Sequence, residues 1–332
     1  MTTATARISR PGHSAATSSR NTSPRNPNPR DARSRERALA WARRAPLLPA
    51  LVFLIIVTQL PFVVTLIISF LNWNSLSPSK TAFAGLENYV TVLTDPDLRQ
   101  AIFTTILLTV SVVLLSLLIG LGLALLLDKK FMGRGLARTL LIAPFLVVPV
   151  AAALIWKHAL LNPTYGLING ILTWVWSLFG SAAAPQLDLL SQAPLMAVIA
   201  SLVWQWTPFM MLILLAGLQS RPMDTVEAAQ MDGATPWAIF RHLTLPHLRQ
   251  YIELGGLLGA IYIVQNFDSV FTLTAGGLGT ANLPYAIYQT FYFANEYGLA
   301  SAAGVVVVIG TIIVATFALR TVFSLFKKEA AR

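Results

Sequence analysis

The chain has 332 residues, of which 55% are hydrophobic and 11% charged, where soluble domains carry about 25% charged residues. A mean hydropathy of +0.64 and several apolar runs of about 20 residues exclude an ordinary soluble domain and make the bilayer the solvent. The lack of Cys excludes disulfides, thiolate catalysis and Cys-based metal or iron–sulfur sites, and the net charge of +10 is gathered in a few stretches, a pattern of membrane topology rather than of nucleic-acid binding.

Residues 1–45 hold ten Arg, two acids and almost no apolar periodicity. They read as a disordered basic cytoplasmic tail. Its main role is read as solvated chain that fixes topology, with an arm for lipid or nucleic acid as the other reading. The apolar run after Arg43-Arg44 spans about 25 residues, too long for a signal-peptide core. It is the first of six expected spans: 46–71, 102–127, 139–160, 193–217, 252–272 and 300–323. Each can cross ~30 Å of hydrocarbon at 1.5 Å per residue. Continuous apolar runs imply helices, which pair their own backbone in lipid, and not an alternating β-barrel. The expected fold class is therefore an all-α polytopic membrane protein of six transmembrane helices.

Lys and Arg set the orientation. With the N-terminus inside, 21 of the 24 cations fall in cytoplasmic pieces: the tail, 128–138 (Lys129, Lys130, Arg134, Arg138), 218–251 (Arg221, Arg241, Arg249) and the C-terminal end (Arg320, Lys327, Lys328, Arg332). Only Lys80, Arg99 and Lys157 are left outside. Both termini are thus expected in the cytoplasm of a cell carrying this multi-pass protein in its plasma (inner) membrane.

The loop 218–251, between spans four and five, holds a compact polar insert on that cytoplasmic side. Asp224 is placed as the N-cap of a short helix with Glu227 at its third position, followed by Ala228 and Ala229. Gly233 suits a left-handed terminator. Thr235 then caps a second helix with Pro236 at its first position, and Trp237, Phe240 and Leu243 recur at a spacing of three to give it one apolar face. Pro246 is expected to end it. Two readings stand for the insert from physics alone: an amphipathic loop lying on the membrane surface, or a rigid helix–turn–helix knuckle that fits a protein groove.

The order Glu227-Ala228-Ala229, Asp232-Gly233-Ala234, then Leu243, Leu245 and Pro246 resembles the signature of permease subunits of binding-protein-dependent ABC importers. Gly85-Leu86-Glu87-Asn88-Tyr89, Phe267-Asp268-Ser269-Val270-Phe271 with Gly276-Gly277-Leu278-Gly279, and Tyr297-Gly298-Leu299-Ala300-Ser301-Ala302 resemble stretches of the carbohydrate and polyol branch, the maltose-type sugar permeases. These stretches are spread over most of 46–323. Phe103-Thr104-Thr105 departs from the Asn-Thr of many relatives. The resemblance implies a permease transmembrane domain over 46–326, with the knuckle as a coupling helix docked in a cleft of an ATPase subunit. It implies coupling roles for Glu227, Ala228, Ala229, Asp232, Gly233, Ala234, Trp237, Phe240, Leu245 and Pro246. It also implies partners: a second related permease, two ATPase subunits, an extracytoplasmic solute-binding protein, and a sugar or polyol substrate. The alternative, a stand-alone ion-coupled carrier, calls for intramembrane charge pairs and inverted repeats. The sequence offers Asp268 alone, Glu253 at the cytoplasmic edge, and no repeat.

A phosphate-cradling loop needs G-x-x-x-x-G-K-[ST], and the chain has no Gly-Lys pair. The chain is read as a translocation subunit, not an enzyme, with ATP and Mg held by the partner ATPase and no cofactor of its own. His242 and His247 lie five apart across Pro246, not at the i, i+4 spacing of a helical metal pair, and read as solvated cytoplasmic histidines.

Polar groups within a span line a cavity or pair with a neighbour. Tyr262, Gln265, Asn266 and Ser269 fall at i, i+3, i+4 and i+7 on one face of a continuous span five, with Asp268 near its outer end. Such a face suits sugar hydroxyls, or interhelical hydrogen bonds between permease subunits. Trp204, Gln205 and Trp206 on span four offer sugar stacking or an interfacial aromatic belt. Gly255, Gly256 and Gly259 suit close helix packing.

Overall fold

The computed structural model describes residues 45–179 and 186–329; the basic tail, save for Ala45, lies outside them. The chain divides into two compact units, Met1–Leu60 and Pro61–Arg332. In the first, a 3-10 turn (Ala45–Leu47) leads into α1 (Leu48–Ile68), which runs on into the second unit. Every residue of α1 as far as Leu60 is exposed, as suits an apolar helix whose solvent is lipid.

The second unit is almost wholly helical. A two-residue antiparallel pairing (β1, Leu71–Asn72; β2, Ala82–Phe83) precedes α2 (Glu87–Thr94) and α3 (Pro96–Asp128). There follow α4 (Arg134–Leu146), α5 (Pro149–Leu154, prolonged by a π turn over Ile155–Leu160), α6 (Leu167–Leu178), α7 (Leu189–Gln192) and α8 (Pro194–Gln219). The remainder is α9 (Met223–Met231), α10 (Pro236–Ile239, prolonged by a π turn over Phe240–Thr244), α11 (Leu245–Val264), α12 (Asp268–Leu273), α13 (Leu283–Tyr292) and α14 (Tyr297–Glu329). Among the described residues, α1, α3 and α8 are each long and apolar enough to cross a membrane. The α4–α5 pair makes a fourth candidate, bent by 99°.

Two expected spans are not continuous. The third breaks at Val147-Val148, both extended, because Pro149 opens α5 and the residues before a proline avoid the helical region. The fifth ends at Val264 and resumes at Asp268, so Gln265, Asn266 and Phe267 form a hinge rather than a turn of helix.

The bundle is organised by α3 and α8, which share the most extensive contact in the fold. Asp95 caps α3, accepting from the amides of Asp97 and Leu98 at 3.0 and 2.9 Å. Along α3 a buried stripe of Leu108, Val112, Ser116, Gly120 and Ala124 recurs every four residues. At its centre a Cβ on Gly120 would lie 2.9 Å from the backbone nitrogen of Met211. Only glycine allows this approach, the small-residue packing that associates helices in lipid. Met210 fills the hollow over Gly255 and Gly259 on α11, where added Cβ atoms would meet its sulfur at 3.2 Å and its methyl at 2.4 Å.

At one end of the bundle the remote resemblance stretches meet. Asn88 donates to the carbonyls of Ser69 (2.8 Å) and Leu71 (2.9 Å), and the Tyr89 hydroxyl lies 2.6 Å from Ser69 Oγ, so both tie down the chain leaving α1. The amide of Gly298 donates to the Trp73 carbonyl at 3.2 Å. Thr105 accepts from the Leu283 amide at 2.8 Å, which gives the departing Phe103-Thr104-Thr105 stretch a role: it anchors the loop that follows α12.

Candidate functional site

The knuckle is built as two short helices joined by a tight reversal. At the end of α9 the amide of Gly233 donates to the Gln230 carbonyl (3.0 Å) and that of Ala234 to the Ala229 carbonyl (2.9 Å). This is the Schellman arrangement, with Gly233 left-handed at φ +81°. Thr235 caps α10 by accepting from the Ala238 amide at 3.3 Å, with Pro236 in the first turn. Glu227, Ala228 and Asp232 are exposed and Ala229 and Ala234 half-buried. Trp237 is 67% exposed and stacks on Phe240 with centroids 5.5 Å apart. Met223 and Met231 add 55% and 88% exposed apolar side chains. The inner side of the knuckle is held by Val226 and Ile239, both buried.

Three expectations for this stretch need correction. Asp224 is not the cap of α9: Pro222 holds that position and no side chain caps it, so Asp224 sits exposed in the first turn. Nor does Pro246 end the second helix. The chain passes through the Phe240–Thr244 π turn directly into α11, with Pro246 in its first turn. A wider π turn leaves room for a ring that would strike the i−4 carbonyl of a regular helix. Leu245 and Pro246 are exposed at this junction. His247 is also not solvated. It is half-buried, with Nε2 3.1 Å from the Gly217 carbonyl and 3.2 Å from Ser220 Oγ. His242 is exposed, with Nδ1 3.0 Å from the Ala238 carbonyl.

At the far end of α11 the expected polar face is divided by the hinge. Tyr262 is 59% exposed and lies 5.3 Å from Trp206, which also meets Phe145 and Phe209 edge-on. Gln265 folds back onto the Ile261 carbonyl at 3.0 Å. Asn266 places Nδ2 3.4 Å from Ser269 Oγ, its carbonyl accepts from Asn282 Nδ2, and its own Oδ1 is buried with no partner. Ser269 is buried and Asp268 half-buried in the first turn of α12. The hinge therefore groups Asn266 with Ser269 and leaves Tyr262 with Trp206; a single shared face fails because the helix stops at Val264.

The span-four residues separate by side. Gln205 is buried, and its Nε2 donates to the Val147 carbonyl at 3.0 Å, filling a bond lost at the α4–α5 break. Trp204 is half-buried against Trp156, centroids 6.2 Å apart. Two participants have no sequence signal as single residues: Asn282, and Lys157, whose Nζ donates to the Thr272 carbonyl near the end of α12 at 2.8 Å, where the helix dipole favours a cation.

These features define a multi-pass helical membrane protein with an exposed two-helix knuckle at one end of α11 and a polar hinge at the other. The chain belongs to the family of binding-protein-dependent transport system inner membrane components, whose model matches residues 101–325. A probable ABC transporter permease of Sinorhizobium fredii is 36% identical over 77% of this chain and 81% of its own length. The trehalose/maltose transport system permease of Thermococcus litoralis is 34% identical over 82% and 89%. A solved bacterial ABC transporter for import of the acidic polysaccharide alginate shares the fold, with a TM-score of 0.73 at 23% identity over 89% of this chain and 99% of that one. This chain is accordingly an ABC importer permease, and the stand-alone carrier is set aside.

Replacing Gln205 with Leu should keep the fold but leave the Val147 carbonyl unpaired at the break, a loss of about 1–3 kcal/mol. Thermal unfolding of the purified chain should show a lower midpoint for Gln205→Leu than for Gln192→Leu on the short α7.

Proposed function

We propose that this chain is the translocation subunit of an importer for sugars or polyols, taking its substrate from an extracytoplasmic binding protein. It works with a second related permease and is driven by ATP hydrolysis in two separate ATPase subunits. The observation that carries the reading is the exposed apolar tip of the knuckle. Trp237, Met223 and Met231 stand out from a rigid two-helix reversal whose inner residues are buried, as expected of an anchor that fills a protein cleft. Glu227 and Asp232 lie exposed beside that tip, and Ala228, Ala229 and Ala234 keep the surface low enough for close approach. Phe240 backs Trp237, and Leu245 and Pro246 join the tip to α11. ATP and Mg belong to the partner, and this chain holds neither.

The cation distribution supports termini in the cytoplasm and the knuckle on the same side. Carbohydrate as cargo is supported by the relatives named for trehalose and maltose. It is supported too by the chemistry at the hinge, which pairs neutral donors and acceptors with aromatic faces. Opening of the hinge would present the buried, unpaired Asn266 Oδ1 to a sugar hydroxyl, and Tyr262 with Trp206 offers a ring face for stacking. Gln265, Ser269 and Asp268 complete the polar rim. On α8, Trp204 beside Trp156 and Gln205 at the α4–α5 break are the remaining pathway candidates.

Gly233→Pro should leave the protein inserted but remove the left-handed turn and the Gly233 amide bond. The ATPase should then fail to co-purify and uptake should fall to background. Gly233→Asn, which tolerates the left-handed region, should retain most of both; equal retention by the two variants would reduce the knuckle to a surface loop. Asn266→Ala should lower uptake roughly 5-fold or more, the size of one lost hydrogen bond of about 1 kcal/mol, with assembly intact. Loss of assembly instead would make Asn266 a packing residue.

A further inference from the structure

The knuckle is joined to the bundle by more than its two chain ends. Arg221, in the link between α8 and α9, donates from Nη1 to Oγ1 of Thr244, the last residue before α11. Thr244 is 2% exposed. One residue earlier, Ser220 Oγ lies 2.8 Å from the Tyr251 hydroxyl and 3.2 Å from His247 Nε2, and His247 returns to the Gly217 carbonyl at 3.1 Å. Gly217 lets the two helices close: a Cβ there would stand 2.6 Å from the Tyr251 ring and 2.8 Å from Leu248. The end of α8 is thus fastened to the start of α11 across the whole length of the knuckle.

The geometry points to this brace as the element that turns knuckle displacement into movement of α11, with Arg221 and Thr244 as its positioning residues. The inference rests on the knuckle being the ATPase dock. Without the brace, the Ser220-Arg221-Pro222 link and the π turn would let the knuckle tilt on its own. With it, the ends of α8 and α11 and the knuckle base form one body. α11 is then an unbroken rod of about 30 Å that delivers the motion to the Gln265–Phe267 hinge.

Arg221 reaches across the junction with a single side-chain bond. Its Nε is buried without a partner, and the only ion pair among the described residues, Arg249–Glu253, lies elsewhere. A static buried guanidinium is held through several donors at once. Here one bond to a neutral hydroxyl makes Thr244 the single point through which this guanidinium braces the knuckle base.

The test uses the complete importer reconstituted in vesicles, with Arg221→Met, Thr244→Val, the two together, and Thr244→Ser. Solute transported per ATP hydrolysed should fall roughly 2- to 30-fold in each of the first two, the range for residues along a coupling network. The ATPase should stay bound and still respond to loaded binding protein. The double variant should fall no further than the worse single one, and Thr244→Ser should behave as wild type. An unchanged ratio in both single variants overturns the brace, as does loss of bound ATPase in both, which would make the pair part of the dock. Trp237→Asp, measured alongside, separates the two ideas. If it leaves the ATPase bound, the docking reading fails, whatever Arg221 does.

Discussion

The structure depends on one constraint: at membrane depth no backbone group can be left to water. Continuous helices meet it without help, but the α4–α5 pair and the α11–α12 hinge do not. Each break is closed by a side chain from another helix. Gln205 on α8 satisfies the Val147 carbonyl, and Asn282 at the start of α13 satisfies the Asn266 carbonyl. Lys157, in the π turn after α5, closes the third such carbonyl at Thr272. These bonds link the two broken spans to each other and to α8, the helix packed directly on α3. An irregular polar hinge can therefore persist inside an otherwise apolar bundle.

That arrangement gives the molecule its direction. The knuckle stands at one end of α11 and the polar hinge at the other, with a regular helix between them. Packing stiffens α11 along its length: Met210 seats against Gly255 and Gly259, and Leu248 lies in the same buried cluster as Met211 and Leu214. The knuckle itself is shaped by local chemistry, the left-handed Gly233 and the Thr235 cap, so it keeps its form while its apolar tip is exposed. The proposed coupling role asks for such a part: stiff, presented outward, and joined end to end with the helix that leads to the hinge.

Much of this was legible in the sequence. Turn chemistry at Gly233, Thr235 and Pro236 is local and legible, as are the long apolar runs that form α1, α3 and α8. The misreadings share a cause. Pro246 looked like a stop and Asp224 like a cap, because sequence rules describe regular helices and cannot foresee a π turn or a competing proline at 222. The shared face of Tyr262, Gln265, Asn266 and Ser269 assumed an unbroken span. Apolar periodicity carries no mark of a hinge whose bonds are completed by Asn282, sixteen residues away. Gln205 read as a pathway residue because a polar side chain in a span signals either a cavity or a partner. Only the position of the α4–α5 break decides between them. The brace was invisible, since Ser220 and Tyr251 are unremarkable alone and meet only after folding.

In the proposed importer the knuckle tip sits in the ATPase while the loop after α12 faces the opposite side of the membrane. The most direct measurement is photo-crosslinking in the intact importer, with a benzophenone amino acid placed at Trp237 or at Leu278, which are 67% and 72% exposed. Position 237 should attach to the ATPase chain and position 278 should not. Position 237 attaching to lipid alone, or position 278 attaching to the ATPase, would contradict it.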